Sequence, residues 1–183
     1  MILGILLGLV VVVALVLIGI YNNLVTLRES VKNGWSQIQV QLNRRHDLIP
    51  NLVETAKGYL KHESSTLEAV IKARQIAVDA SSIKDKQAAE NMLTSTLRSL
   101  YAVTENYPEL KANAQMIRLQ EEITSTENRI AFARQYYNDQ VNSLNVAVQS
   151  FPNNMIANSF HFEKAEFFQV DDPAVAKAPE VRF

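Results

Sequence analysis

Residues 2–20, ILGILLGLVVVVALVLIGI, carry no polar side chain, and no other feature limits the fold as strongly. As an α-helix the run measures about 28 Å, close to the hydrocarbon thickness of a bilayer. A backbone in lipid must satisfy its own hydrogen bonds, which a lone segment does only as a helix. A cleavable leader would show a basic first segment and a small-residue cleavage site, and neither is visible. Residues 1–20 are therefore read as a retained transmembrane anchor, with Tyr21 at the interface. Gly4 and Gly8 form a G-x-x-x-G pair that would let two spans pack closely, although glycine is also simply common in membrane helices. No Lys or Arg precedes the span, whereas Arg28 and Lys32 follow it. The positive-inside bias favours a cytoplasmic C-terminal domain; with only two charges voting, the outer side stays open.

The 183 residues suit one domain beyond that anchor. With five glycines and five prolines, long helices are favoured over strands and turns. A net charge of −1 gives no sign of a nucleic-acid partner. Cysteine is absent, which removes disulfides and thiol chemistry.

From Leu24 onward apolar residues recur with helical period. Leu24, Val31, Ile38, Leu52 and Tyr59 form one seven-residue series, and Trp35, Leu42, Ile49 and Ala56 form the adjacent one. The register passes Pro50 without a slip. Residues 21–62 therefore read as one helix continuous with the span and kinked at Pro50, where the carbonyl of His46 loses its usual donor. The alternative is a helix restarted at Asp47, with Pro50 in its first turn. Ser65 and Glu68 spell a capping box for a second helix ending near Ala80. SSIKD then connects to a third helix carrying Ala89, Leu93, Leu97, Leu100 and Val103. Asn106, Pro108 and Glu109 mark the start of a fourth. That helix holds Met116, Ile123, Ile130, Tyr137, Leu144 and Phe151 in one heptad series before Pro152 stops it. FPNNMIANSF and HFEKAEFFQV read as aromatic and extended or loosely packed.

The expectation is an all-α protein: one N-terminal transmembrane helix, then an antiparallel up-down-up-down bundle of two long and two short helices. Its divisions are an anchor over 1–20, a bundle over 21–152, an aromatic segment over 153–170 and a disordered tail over 171–183. Two long helices outrun two short ones, so their membrane-proximal stripes, Val141 among them, should lie uncovered and drive side-by-side self-association. Phe160, Phe162, Phe167 and Phe168 then touch lipid headgroups or a neighbour, or form a lid over the bundle base.

The densest polar stretch is NRRHD, residues 43–47. Helical residues turn by about 100° each, so Arg44, Arg45, His46 and Asp47 fan around the axis and do not converge on one reactant. Arg45 falls on the inward series and needs a buried acceptor; register and elimination point to Glu127. Glu127 and Arg134 lie seven apart beside the Ile123–Tyr137 series. This reads as a polar layer fixing helix register and pairing, with a ligand or catalytic pocket built on that layer as the alternative. No Glu-x-x-His pair exists for a di-metal bundle, and no phosphate-cradling loop, G-x-S-x-G or H-E-x-x-H occurs. No metal and no cofactor is expected. A histidine phosphotransfer domain would present a histidine among basic residues, but Asp47 beside His46 would repel a phosphoryl group.

At these residues the chain resembles the LemA family. The likeness covers YNNLVTLRESVKNGWSQIQVQLNRRHDLIPNLVETAKGYLKHE and LEAVIKAR, then ENYPELKANAQMIRLQEEITSTENRIAFARQYYNDQVNSLN through Phe151 and Pro152. Trp35, Arg44, Arg45, His46, Asp47, Asn51, Glu54, Glu127, Arg134, Tyr137 and Asn138 all match the family pattern. The resemblance implies an outward N-terminus, one membrane helix and a long helical domain, with no established enzyme activity or cofactor. One divergent branch, from magnetosome-forming bacteria, is linked to building membrane compartments. The expected role is a membrane scaffold or organiser without catalysis, self-associating in the lipid bilayer. The alternative is a signalling adaptor that recruits an unidentified protein partner through the bundle surface.

Overall fold

In the computed structural model residues 2–169 are described, and among them the protein is helical without a strand. Its elements are α1 (Ile2–Lys57), α2 (Ser64–Asp79), α3 (Ile83–Thr104), α4 (Pro108–Lys111), α5 (Ala114–Gln149) and α6 (Asn153–Ser159). Helix α1 runs unbroken through Pro50, so the helix does not restart at Asp47. The boundary at residue 20 falls inside this single helix. The tail over 171–183, and residue 170 of the aromatic segment, lie outside the described residues.

The chain forms two compact units. Unit 1 contains residues 1–40 and 129–167. There Leu24, Val31 and Ile38 of α1 and Ile130, Tyr137, Val141 and Leu144 of α5 are buried. Gly34 allows a close approach at this helix pair: a Cβ added there would meet the backbone Cα of Tyr137 at 3.1 Å. Trp35 lies 5.7 Å, ring to ring, from Tyr137. The stripe expected to lie bare is therefore covered, and Val141 is wholly buried. The C-terminal segment adds to this unit. Asn145 donates to the carbonyl of Ala165 and accepts from its N–H, at 3.0 and 2.8 Å. The hydroxyl of Tyr137 donates to the carbonyl of Glu166 at 2.7 Å, and Phe162 is buried.

Unit 2 contains residues 41–128 together with Phe168 and Gln169. Its core runs through Ile49, Leu52 and Ala56 of α1, Val70 and Ala77 of α2, Leu93 and Leu100 of α3, and Met116 and Ile123 of α5. Phe168 is buried in this unit too.

Several helix ends differ from those the motifs suggested. Helix α1 stops at Lys57, not at residue 62, and Tyr59 turns outward while Leu60 takes the buried place. Helix α2 starts at Ser64, so Ser65 and Glu68 lie inside it and make no cap; Glu63 holds the cap position without a side-chain bond. A side-chain cap lies instead at the start of α3: Ser82 Oγ accepts from the N–H of Asp85 at 3.0 Å and donates to its carboxylate at 2.6 Å.

Asn106 caps nothing, because Tyr107 is forced out of helical geometry by the proline after it (φ −122°, ψ 85°). Pro108–Lys111 is a single turn that plugs Leu110 into the core. Leu110 and Met116 would face different ways in an unbroken helix, and the break lets both be buried. Asn113 is the cap of α5, accepting from the N–H groups of Gln115 and Met116 at 2.9 and 3.0 Å. At the far end α5 stops at Gln149, so Phe151 leaves the heptad series and is 80% exposed. The segment after Pro152 forms α6, not an extended stretch. It closes as a Schellman turn, with His161 at φ 56° and the N–H of Phe162 donating to Ala157 at 2.9 Å.

Candidate functional site

The polar centre of the molecule lies wholly within unit 2 and is built around Arg45, which is 2% exposed. Position 45 continues the Ile38-to-Leu52 series, so the helix that buries those leucines and isoleucines also buries a guanidinium. An unpaired buried charge is prohibitive, and this one is held from two helices. One terminal nitrogen of Arg45 donates to Glu90 on α3. The other donates to Glu127 on α5, and to Thr94 Oγ1 on α3 at 3.2 Å. His46 lies next to Arg45 and is equally buried; its Nε2 is 2.9 Å from the second carboxylate oxygen of Glu90. Both oxygens of that carboxylate are thereby engaged, one by arginine and one by histidine.

A fifth contributor comes from the proline. Pro50 has no N–H to offer the carbonyl of His46, and Arg74 Nε on α2 donates to that carbonyl at 2.7 Å. One backbone acceptor freed by a proline thus fixes α2 to α1. Burial pushes the Tyr101 phenol up to about 12, and the charge of Glu127 adds to this while Arg45 opposes it. Among the described residues the Tyr101 hydroxyl, Arg45 Nε and Gln41 Oε1 are buried without a hydrogen-bond partner. In unit 1 the Tyr137 phenol is also raised, by burial first and by Glu166 second.

Of the polar residues singled out in the sequence, only Arg45, His46 and Glu127 meet. Arg44, Asp47, Asn51 and Glu54 occupy exposed positions on α1 and take no part in the cluster, because each is turned well away from Arg45 around the helix. Glu54 lies 3.7 Å from Lys57 on the surface. Pro50 is exposed. Arg134 and Asn138 belong to unit 1, where both are half-buried. Glu90, Thr94 and Arg74 were missed. A signal for Glu90 existed: it stands three residues before Leu93 and seven before Leu97, on the buried face of α3.

The cluster reaches the surface at Glu127, whose side chain is 36% exposed, and Arg45 Nε has no partner among the described residues. The guanidinium occupies the space between the two carboxylates that a metal cation would need. The imidazole of His46 is already committed to Glu90. Gly4 and Gly8 present open space, with no atom within 4 Å of an added Cβ.

A family model for the LemA family matches residues 34–183. Over 175 residues the chain is 26% identical to magnetosome protein MamQ 2 of Paramagnetospirillum magneticum, an alignment covering 81% of this chain and 64% of that protein. Magnetosome protein MamQ of Magnetospirillum gryphiswaldense is 25% identical over 174 residues, with the same shares. Protein LemA of Metamycoplasma hominis is 25% identical over 161 residues, covering 86% of this chain and 72% of the relative. The chain thus spans 64% of the length of the magnetosome relatives it matches.

Proposed function

We propose that this chain, which belongs to the LemA family, is a single-pass membrane scaffold that self-associates and carries out no chemistry of its own. It would organise a bacterial inner membrane with the helical domain on the cytoplasmic side, the side favoured by Arg28 and Lys32. The observation that carries the reading is the continuity of α1. The exposed apolar residues 2–19 pass without a break into the helix that packs unit 1, so membrane attachment and folded domain share one rod. Self-association is supported by apolar side chains that unit 1 leaves bare on α5: Phe132, 73% exposed, with Tyr136 and Val146 at helical spacing on the same side. Gly4 and Gly8 offer a second contact face within the span. Absence of catalysis is supported by the polar cluster, in which Arg45 pairs with Glu90 and Glu127 and His46 pairs with Glu90. The magnetosome relatives are consistent with a membrane role, and nothing narrower is carried over from their names.

One observation favours an adaptor as the second reading. In unit 2 a groove of about 970 Å3 between α1 and α2 has Val53, Leu60, Leu67 and Ile71 in its lining, with three lysines (Lys57, Lys61, Lys72) and two glutamates (Glu54, Glu68) also around it. The apolar face of an amphipathic helix would suit it. The mass of the purified full-length protein in mild detergent, measured by light scattering, separates the two. A uniform homotypic assembly supports the scaffold, and a monomer that enlarges only when a partner is supplied supports the adaptor.

A further inference from the structure

We infer that α6 and the residues flanking it form a second membrane contact, a foot that enters the lipid interface beside the span. The inference rests on the anchored reading above and adds to it a lipid-binding surface that a single span does not require.

Helix α6 is short; it exposes Met155 and half-buries Ile156, and the residues flanking it expose two phenylalanines. Phe151 is 80% exposed, Met155 61% and Phe160 57%, while only Ala157 is fully buried. A soluble surface gains nothing from three such residues within ten positions. Their location explains them. Phe160 packs edge-on against Tyr21, with ring centroids 4.9 Å apart, and Phe162 meets the same ring at 5.8 Å. Ile156 and Phe160 line a crevice of about 310 Å3 together with Leu17, Ile18 and Tyr21. Leu17, Ile18 and Tyr21 are the last turn of the apolar run and the first residue past it, where the hydrocarbon layer ends. The foot is therefore held at the depth of the bilayer boundary by contacts inside unit 1, whichever side that unit occupies. Aromatic side chains favour this zone, because their rings lie between hydrocarbon and headgroup.

The polar atoms nearby agree with such a depth. The guanidinium of Arg28 lies over the Phe162 ring at 5.1 Å, nearly two helical turns beyond Tyr21 and so at headgroup level. Asn153 and Asn154 are half-buried. The crevice is open and lined by apolar side chains, a surface suited to contact with an acyl chain. The occupant is thus the hydrocarbon of the lipid leaflet. A second copy of the protein is the rival outcome.

The chain has no cysteine, so a single one reports on its own surroundings. Full-length Phe151→Cys and Met155→Cys proteins, each carrying a nitroxide label, would be placed in vesicles of phosphatidylcholine and phosphatidylglycerol. Collision of the label with dissolved oxygen, which concentrates in hydrocarbon, is compared with collision with a water-soluble nickel chelate. Leu7→Cys in the span and Gln135→Cys on an exposed position of α5 provide the references. The expected result is an oxygen-to-nickel ratio at both foot positions several-fold above Gln135→Cys and approaching Leu7→Cys. A lipid-like Leu7→Cys with aqueous values at 151 and 155 overturns the foot and leaves the anchor standing. Aqueous values at all positions overturn both. Weak collision with both reagents at 151 and 155 means that protein covers them, and this too overturns the lipid assignment.

Discussion

Units 1 and 2 are built from the same two long helices by opposite means. In unit 1, α1 and α5 meet through apolar side chains and a glycine, and backbone approaches backbone at Gly34 and Tyr137. In unit 2 the same helices, joined by α2 and α3, surround a guanidinium, two carboxylates and an imidazole. Close apolar packing tolerates small shifts of register at modest cost. A buried arginine does not, because sliding any helix by a turn leaves a charge with no partner. Unit 1 holds the helices together, and unit 2 dictates which helix faces which.

That contrast is open to attack. Arg45→Met takes the guanidinium from Glu90 and Glu127 and should lower stability by about 3–5 kcal/mol, read from chemical denaturation. Gly34→Val in unit 1 should cost about 1–3 kcal/mol by forcing the helix pair apart, with no change in the polar cluster. An equal effect of both variants on the two units would erase the distinction. Arg74→Met should cost about 1–3 kcal/mol, since the His46 carbonyl freed by Pro50 then lies buried without a donor. Pro50→Ala restores that donor, and in the Arg74→Met background it should recover part of the loss.

Tyr101→Phe is the gentlest test. Removing an unpartnered buried hydroxyl should leave stability unchanged or raise it by about 1 kcal/mol. It also carries a pH signature. The folded chain keeps the Tyr101 proton up to about 12, whereas an unfolded tyrosine releases it near 10.0. The contribution of this group is therefore intact below 10.0 and is lost as pH rises toward 12. Wild type should lose stability across that window more steeply than Tyr101→Phe.

The two long helices, apart from their ends, were legible in the sequence because heptad spacing is a local signal. Leu24, Val31, Ile38, Arg45 and Leu52 share one face whatever surrounds them. Half of the cluster was legible for the same reason: an arginine on that face demands a carboxylate, and Glu127 stood in register on the other long helix. The remainder depends on how far α3 is displaced along α1, which loop length leaves open, so Glu90 and Thr94 were not found. The freed carbonyl of His46 was visible from Pro50, but its donor, Arg74, lies 28 residues away on another helix. Caps misled for a different reason. Asn106 and Asn113 both carry the right side chain, and the choice was made by the geometry Pro108 imposes on Tyr107 and by the need to bury both Leu110 and Met116.

The central claim is that the buried charges fix the packing of unit 2 and act on no ligand. The most direct test replaces the whole cluster at once, with Arg45→Met, His46→Leu, Glu90→Met and Glu127→Leu in the full-length protein, and measures its melting temperature. If the charges serve packing alone, the fourfold variant should melt well above the single Arg45→Met variant and near or above wild type, since an apolar core of similar volume avoids the desolvation cost. A fourfold variant that melts no higher than Arg45→Met would contradict the account.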